Sequence, residues 1–390
     1  MHNPTPEDLL EQARGRSPIA SVAQALTAVE DDVYLVGGSV RDLLLGREFV
    51  DIDLAVDGDA GSLAAAIGAP LGAETRFGTV SVELGGYRYD IARTRSESYE
   101  HPGALPIVED AGIDADLLRR DFTVNALALG LAGARTGELL MAPGSLDDLR
   151  TGRLAILHDR SFIDDPTRLL RLARYAARLG FEPAAQTREL AAAAIADGAL
   201  ETISGNRVGN ELRLLANEAD PVAAFEMAAE LGLPWGIDRE AARRALAVLP
   251  ADGRADLLVL ACVLSPEQLE GLGFNAGDRD AISEGAAKAG ELARRLAEAG
   301  SRSEIVRAVG TSGTETVALA FSHGAAPQAL TWLRELRHLR LAITGDDLIA
   351  NGLEEGPQLG LALQAARDAM LDGQAPDRES QLAAALKPAE

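Results

Sequence analysis

Two aspartates spaced two apart, Asp51 and Asp53, follow closely on the glycine-rich stretch Gly37-Gly38-Ser39-Val40-Arg41-Asp42. On a strand, that spacing sends both carboxylates out of one face while Ile52 and Leu54 alternate into a core. Hard oxygen donors on one face suit Mg²⁺, which is held by one or two carboxylates together with substrate phosphates. The preceding stretch suits the phosphates. Val33 to Val36 is a short apolar β-run and Val40 to Leu45 is the apolar run of a packed helix, so the two glycines let the backbone approach a ligand where a helix begins. Free N–H groups at that terminus, the Ser39 hydroxyl and the Arg41 guanidinium make a triphosphate cradle of Gly37, Gly38, Ser39, Arg41 and Asp42. Either part alone is weak, since Asp-x-Asp in an acidic chain is usually a solvated edge. Together they point to metal-assisted nucleotidyl transfer.

Three further stretches carry polar groups at usable spacing. Phe77 to Leu84, Gly85-Gly86 and Tyr87 to Arg93 form a β-hairpin signature with a two-residue turn. Tyr87, Tyr89 and Ile91 share one face, which leaves Asp90 on the other as a third carboxylate or as a partner for Arg88 or Arg93. In Arg119-Arg-Asp-Phe-Thr-Val-Asn-Ala-Leu-Ala128, helical spacing puts Phe122, Ala126 and Leu129 on one stripe and Asp121 and Asn125 on another. Asp121 and Asn125 could serve ribose hydroxyls and Arg120 a phosphate, with Asp121 also fitting an N-cap. The third stretch, Asp164-Asp-Pro-Thr-Arg, opens an amphipathic helix closed by Gly180, with Asp165, Arg168, Arg171 or Leu172, and Tyr175 along one face. A carboxylate beside a guanidinium matches the Watson–Crick edges of cytosine and adenine and mismatches uracil and guanine. The plainer alternative is a cap stapled by an i,i+3 ion pair.

These motifs, in this order, resemble the class II tRNA nucleotidyltransferase and bacterial poly(A) polymerase family within the DNA polymerase beta superfamily. The resemblance runs from Tyr34 to Ala216 and returns near the C-terminus. It implies an α/β head with a small mixed sheet, then an all-α neck, body and tail. It also implies that Asp90 completes the metal site with Asp51 and Asp53, that Arg120, Asp121 and Asn125 recognise ribose, and that Asp165, Arg168 and Arg171 select CTP and ATP. The family's usual Glu-Asp pair is here Asp164-Asp165. Residues 94–118, rich in turn formers, correspond to the family's flexible loop between C and A addition. Met141 to Leu149 resembles its hinge, and Ile203 to Leu215 its last neck motif, with Arg207 and Glu211 four apart. Gly356 and Gly360, where Gly356-Pro357 starts a helix, match its tail motif for an RNA phosphate. The activity implied is addition of C and A from CTP and ATP to the 3′ end of tRNA with Mg²⁺. The alternatives are an A-adding or CC-adding enzyme, a poly(A) polymerase, or an RNA-binding pseudoenzyme.

Composition bounds the rest. At 390 residues the chain holds several domains, divided from the motifs as a lead-in helix (1–32), a head (33–150), a neck (151–218) and a body with tail (219–390). One cysteine, Cys262, excludes a disulfide framework and reads as core. The sequence shows neither a membrane-length apolar run nor a signal peptide, which predicts a cytoplasmic protein without an obligate protein partner. A net charge of −23 is unusual for a nucleic-acid binder. Its cations are nearly all arginines and they cluster at 119–120, 168–178 and 334–340, which predicts local basic faces on an acidic remainder. His101 is assigned no role, and no His-Asp pair suggests an appended phosphohydrolase.

Overall fold

The computed structural model describes residues 5–49, 51–68 and 78–387; Phe77, the start of the predicted hairpin, lies outside them. Contacts divide the chain into two compact units, Met1–Ser204 and Gly205–Glu390.

The first unit opens with α1 (Pro6–Gly15), capped by Thr5, and α2 (Ser17–Leu26), two helices where the sequence predicted one. Pro18 stands in the first turn of α2, where its missing N–H costs no hydrogen bond. A sheet follows, assembled from β1 (Val33–Val36), β2 (Ile52–Val56), β3 (Thr79–Leu84), β4 (Tyr87–Arg93), β7 (Leu127–Ala132) and β8 (Leu139–Met141) in the order β3-β4-β2-β1-β7-β8. It is mixed: β2 runs parallel to β4, and every other neighbouring pair is antiparallel. Between its strands lie α3 (Gly38–Leu44), α4 (Ala60–Ala66), a two-stranded ribbon of β5 (Arg95–Ser98) and β6 (Ile107–Asp110), and α5 (Ile113–Leu118).

The face of the sheet that carries Tyr34, Val36, Ala55 and Ala128 is covered by Ile113 and Leu117 of α5. Asp53 lies on that same face two residues before Ala55, at the point where an open cavity replaces the cover. After α6 (Ser145–Thr151), β9 (Arg153–Leu154) and α7 (Ser161–Asp164), Asp165 and α8 (Thr167–Leu179) supply the second wall of that cavity. Leu169, Leu170, Leu172 and Ala173 are fully buried along α8, and Gly180 ends it in the left-handed region at φ 68°. β10 (Glu182–Pro183), paired with β9, and α9 (Ala185–Ala196) complete the unit.

The second unit is helical among its described residues: α10 (Gly205–Ala216), α11 (Pro221–Glu230), α12 (Arg239–Leu246), α13 (Ala255–Val263), α14 (Ala276–Glu298), α15 (Arg302–Val309), α16 (Thr314–Ser322), α17 (Ala326–Arg334), α18 (Gly345–Ala350), α19 (Pro357–Leu371) and α20 (Arg378–Ala385). Cys262 sits on α13, and burial pushes its thiol up to about 12, as suits a packed and unreactive sulfur. None of the described helices is long and apolar enough to cross a membrane.

Two sequence expectations change. Residues 122–128 are not helical: a single 3₁₀ turn at Thr123–Asn125 feeds directly into β7. The stretch 94–118 is not featureless: it folds as the β5–β6 ribbon and α5.

Candidate active site

A cavity of about 460 Å³ in the first unit is lined by Gly37 and Gly38, by Asp53 and Asp90, and by Arg120, Asp121, Asn125, Asp165, Arg168, Arg171 and Tyr175. Residues from five separated stretches of sequence thus meet on one surface.

The two strand carboxylates are brought together by register, because Asp53 on β2 is the direct partner of Asp90 on the parallel strand β4. Burial, with Asp90 and Asp51 adding to it and Arg120 and Arg41 opposing, leaves the Asp53 carboxyl raised to about 6. Asp51 lies just before β2, is exposed, and does not line the cavity. Asp90 accepts from Ser81 Oγ at 2.5 Å and pairs with Arg88 at 3.2 Å, so the partner the sequence offered as an alternative is present. Among the described residues no group of three or more His, Cys, Asp or Glu side chains is arranged to hold a metal. The donor set nevertheless fits a hard divalent cation: a buried carboxylate raised by two neighbouring acids is one whose ionised form a cation would favour.

The glycine turn has the geometry the sequence asked for. Gly37 takes φ 61°, a left-handed conformation that disfavours a side chain, and a Cβ there would come within 2.7 Å of Arg120 Nη1. Ser39 is committed to the protein, since its hydroxyl donates to the Asp51 carbonyl at 3.2 Å and accepts from Asp53 N–H at 2.9 Å. It therefore ties α3 to the start of β2 and fixes Asp53 relative to the turn. Arg41 is also turned inward, 3% exposed, forking onto Asp42 at 2.9 and 3.0 Å and donating to Asn125 Oδ1 at 2.5 Å.

From Asn125 a continuous polar chain runs to α8. Its amide donates to Asp121 at 3.0 Å, and Asp121 accepts from Arg171 at 2.6 and 2.9 Å. Burial alone would raise Asp121, but Arg171 and the Asn125 amide hold its carboxyl down at about 2. Arg171 in turn donates to Tyr175 Oη at 3.2 Å. The expected N-cap role of Asp121 is replaced by this pairing; its other oxygen accepts from Phe122 N–H.

On the neighbouring turn of α8, Arg168 is 4% exposed and donates to Ser161 Oγ and to the Arg119 carbonyl, each at 2.7 Å. Asp165 accepts from the N–H and the hydroxyl of Thr167 and so ties down the start of α8 from just before Pro166, which holds the N-cap position. Leu172, which the sequence left as an alternative to Arg171 on the cavity face, belongs to the core.

Sequence reasoning missed one assembly. Asp116, with its side chain 1% exposed, holds Arg119 at 2.6 Å and Arg120 at 2.8 Å, while Glu97 on β5 holds Arg119 at 2.9 Å and Arg95 at 2.8 Å. Arg120 leans over the Gly37 turn and the Arg119 carbonyl holds Arg168, so the cluster links the two ends of the cavity. Its signals were readable: Asp116 stands three and four residues before the arginines, and Arg95, Glu97 and Tyr99 alternate as a strand would.

A small mixed sheet with paired strand carboxylates beside a glycine turn, followed by helices, is a head of the polymerase beta nucleotidyltransferase type. In keeping with it, the family described as "Poly A polymerase head domain" matches residues 33–155. The chain is 34% identical over 340 residues to a CC-adding tRNA nucleotidyltransferase of Deinococcus radiodurans, covering 86% of this chain and 83% of that one. It is 42% identical over 225 residues to an A-adding tRNA nucleotidyltransferase of Geobacter sulfurreducens, covering 55% of this chain and 26% of the relative. A solved Thermotoga maritima CCA-adding enzyme in complex with tRNA superposes with a TM-score of 0.75 at 28% identity, covering 97% of each chain. The chain belongs to the tRNA nucleotidyltransferase family. Its matches span about a quarter to a half of the length of the A-adding relatives.

Proposed function

We propose that this chain adds C and A, from CTP and ATP, to the 3′ end of tRNA and releases pyrophosphate, as a cytoplasmic enzyme without an obligate protein partner. The observation that carries the reading is the single cavity that gathers Asp53 and Asp90, the Gly37-Gly38 turn and the α8 side chains Arg168 and Arg171, with Asp165 at its rim. The functional division follows the sequence: lead-in 1–32, head 33–150, neck 151–218, and a body with tail at 219–390 whose α19 start, Gly356 to Gly360, meets RNA.

In this reading Asp53 and Asp90, with Asp51, would hold Mg²⁺, which when bound neutralises charge on the reacting phosphates. The tRNA 3′-oxygen bonds to the α-phosphorus while the bond from that phosphorus to the bridging oxygen breaks, so pyrophosphate leaves in line with the attack. The protein's contribution is placement. The turn cradles the triphosphate through the Gly38 N–H, with Arg120 above it; the Gly37 N–H is spent on the Leu127 carbonyl at 2.9 Å, and Ser39, Arg41 and Asp42 brace the turn from beneath. The Asp121 and Asn125 pair sets the ribose against the turn. Asp165 accepts from the base amino group and Arg168 donates to the adjacent ring acceptor, a pattern shared by cytosine and adenine. Arg171, fixed by Asp121, carries the alignment of α8 back to the ribose segment.

The test gives purified protein single nucleotides with tRNAs ending before C, after C and after CC, and with a generic RNA. Stepwise addition of both C and A without growth on the generic RNA supports the proposal. A-only extension of the CC end, C-only extension, or oligo(A) growth on any RNA would replace it by the A-adding, CC-adding or poly(A)-polymerase alternative, and RNA binding without addition by a pseudoenzyme.

A further inference from the structure

The second unit holds a cavity of about 440 Å³ that the mechanism does not use, between the end of α15, α17 and the turn that follows it, and α19. Its walls are apolar, from Val306, Leu336 and Leu341, except for Trp332 and three arginines, Arg337, Arg340 and Arg367; no carboxylate lines it. In a chain of net charge −23 that lining is a local reversal.

The arginines are poorly matched by protein acceptors. Arg337 has an 11% exposed side chain and pairs with Asp252 through Nη2, while its Nη1 is buried with no hydrogen-bond partner. Leaving a charged donor unsatisfied in the interior is costly, so an orphaned guanidinium nitrogen beside a cavity points to an acceptor from outside. Arg340 donates to the backbone carbonyls of Arg337 and Leu339, at 2.7 and 2.9 Å, and to no carboxylate among the described residues. Arg367 is exposed and has no ion-pair partner among the described residues. Guanidinium groups converging without carboxylates match the forked geometry of phosphate oxygens. Trp332, half-buried in the same wall, offers a flat face of the kind on which an unpaired base stacks. The volume suits a single nucleotide rather than a helix.

We propose that this cavity binds one nucleotide of the RNA substrate, its phosphodiester on Arg337, Arg340 and Arg367 and its base against Trp332. The inference rests on the reading of the chain as an RNA-directed nucleotidyltransferase, and it gives an acidic chain one definite means of gripping RNA.

The test measures binding directly, so that it stands apart from catalysis. Filter binding of labelled tRNA across a salt series compares the full-length wild type with Arg340→Gln/Arg367→Gln and with Trp332→Ala. The arginine sites are exposed, so the fold survives the change. The double variant is expected to bind about tenfold more weakly, with a salt slope lower by about one, as for losing one phosphate contact. Trp332→Ala is expected to weaken binding comparably with the slope unchanged, and both variants to keep kcat at saturating tRNA and wild-type nucleotide choice. Affinity and slope equal to wild type in both variants would overturn the proposal. A Trp235→Phe background leaves Trp332 as the sole indole, whose fluorescence is then titrated with oligoribonucleotide, inorganic phosphate, a nucleoside monophosphate and polyglutamate. Saturable quenching by the oligoribonucleotide at the lowest concentration supports an RNA site; a response to phosphate, monophosphate or polyglutamate but not to RNA overturns it. Wild-type protein that shows these binding effects yet adds no nucleotide to tRNA would refute the catalytic reading and leave this site standing.

Discussion

Two kinds of aspartate stand in and beside the cavity of the first unit. On the sheet side Asp53 neighbours Asp90 and Asp51, and its carboxyl is raised to about 6. Elsewhere in the wall Asp121 is forked by Arg171 of α8 and held at about 2, and Asp116, behind the wall and shared by Arg120 and Arg119, is likewise held below the usual range despite its burial. At Asp53 desolvation, helped by Asp90 and Asp51, outweighs the pull of Arg120 and Arg41, whereas at Asp121 and Asp116 the paired arginines outweigh desolvation. The acids that meet arginines stabilise the fold when ionised and are scaffolding. The acid that meets acids carries an energetic cost when ionised, which the fold has no reason to keep unless a cation or a reacting group uses it.

Removing the strained acid should break function and spare the fold. Asp53→Ala, and Asp51→Ala beside it, are expected to lower nucleotide addition to tRNA by more than a hundredfold, a loss of at least about 2.7 kcal/mol in barrier height, while the circular dichroism spectrum and tRNA affinity stay near wild type. Retention of more than about a hundredth of the activity would remove these residues from the reacting centre.

Breaking a matched acid should do the reverse and act first on stability. Arg171→Ala strands the Asp121 carboxylate with only amide partners in the interior, and loss of one member of a buried pair costs about 3–5 kcal/mol. Since Asp121 sits lower in the folded chain than its ordinary 3.8, its contribution is present above pH 3.8 and fades as pH falls toward 2. Denaturant unfolding at pH 7 should show the full loss, with about half of the Asp121 contribution gone by pH 3 and most of it by pH 2; a small and pH-independent difference would mean that the pair is dispensable.

How much of this was legible before the fold was seen follows from what each feature depends on. The glycine turn, β2, the hairpin and α8 rest on local rules, namely a left-handed residue, period-two alternation, a two-residue turn and a glycine stop, and each is visible within a dozen residues. The misreading at 119–128 came from Phe122, Ala126 and Leu129, whose spacing mimics a helix. Leu127–Ala132 is buried along its whole length between β1 and β8, so it lacks the alternation that marks a half-exposed strand. The ribbon at 95–110 was hidden by Pro102 and Gly103 at its tip. No spacing rule could have joined Asp121 to Arg171, fifty positions apart, because that pair exists only once α8 packs beside the Asp121–Phe122 segment.

The strained side of the comparison also makes a stability prediction opposite in sign to the usual one. Asp53 takes up a proton near pH 6 when folded and near 3.8 when unfolded, so folding binds a proton within that window and the native state weakens as pH rises through it. Asp53→Asn should therefore stabilise the protein at pH 7–8, by up to about 3 kcal/mol for a shift of this size, and the gain should disappear below pH 4, where the carboxyl is protonated in both states. Added Mg²⁺ should raise the melting temperature of the wild type at pH 7–8 and leave Asp53→Asn nearly unmoved. Destabilisation by Asn at pH 8 would show that Asp53 is held by favourable partners, and the distinction between the two kinds of acid would fail.

The smallest effect tests Asp165, which stands between the two classes. It ties down the start of α8 through Thr167 and also lines the cavity, so scaffold and substrate contact compete for the same carboxylate. If its role ends there, Asp165→Ala should cost roughly 1 kcal/mol and lower the melting temperature by a few degrees, with nucleotide preference unchanged. A carboxylate that also reads the base amino group predicts a second change. Incorporation of UTP or GTP should rise relative to CTP and ATP by an amount equivalent to ~1–3 kcal/mol, because the penalty for presenting the wrong edge to a buried acceptor is gone. Arg168 sharpens the expectation, since its guanidinium is held by Ser161 and the Arg119 carbonyl, neither of which the substitution removes. Half of the base-reading pair would then stay in place while the other half is deleted. A four-nucleotide competition assay run beside a thermal melt reads both quantities on one protein, and a melting shift with no change in selectivity would assign Asp165 to the scaffold.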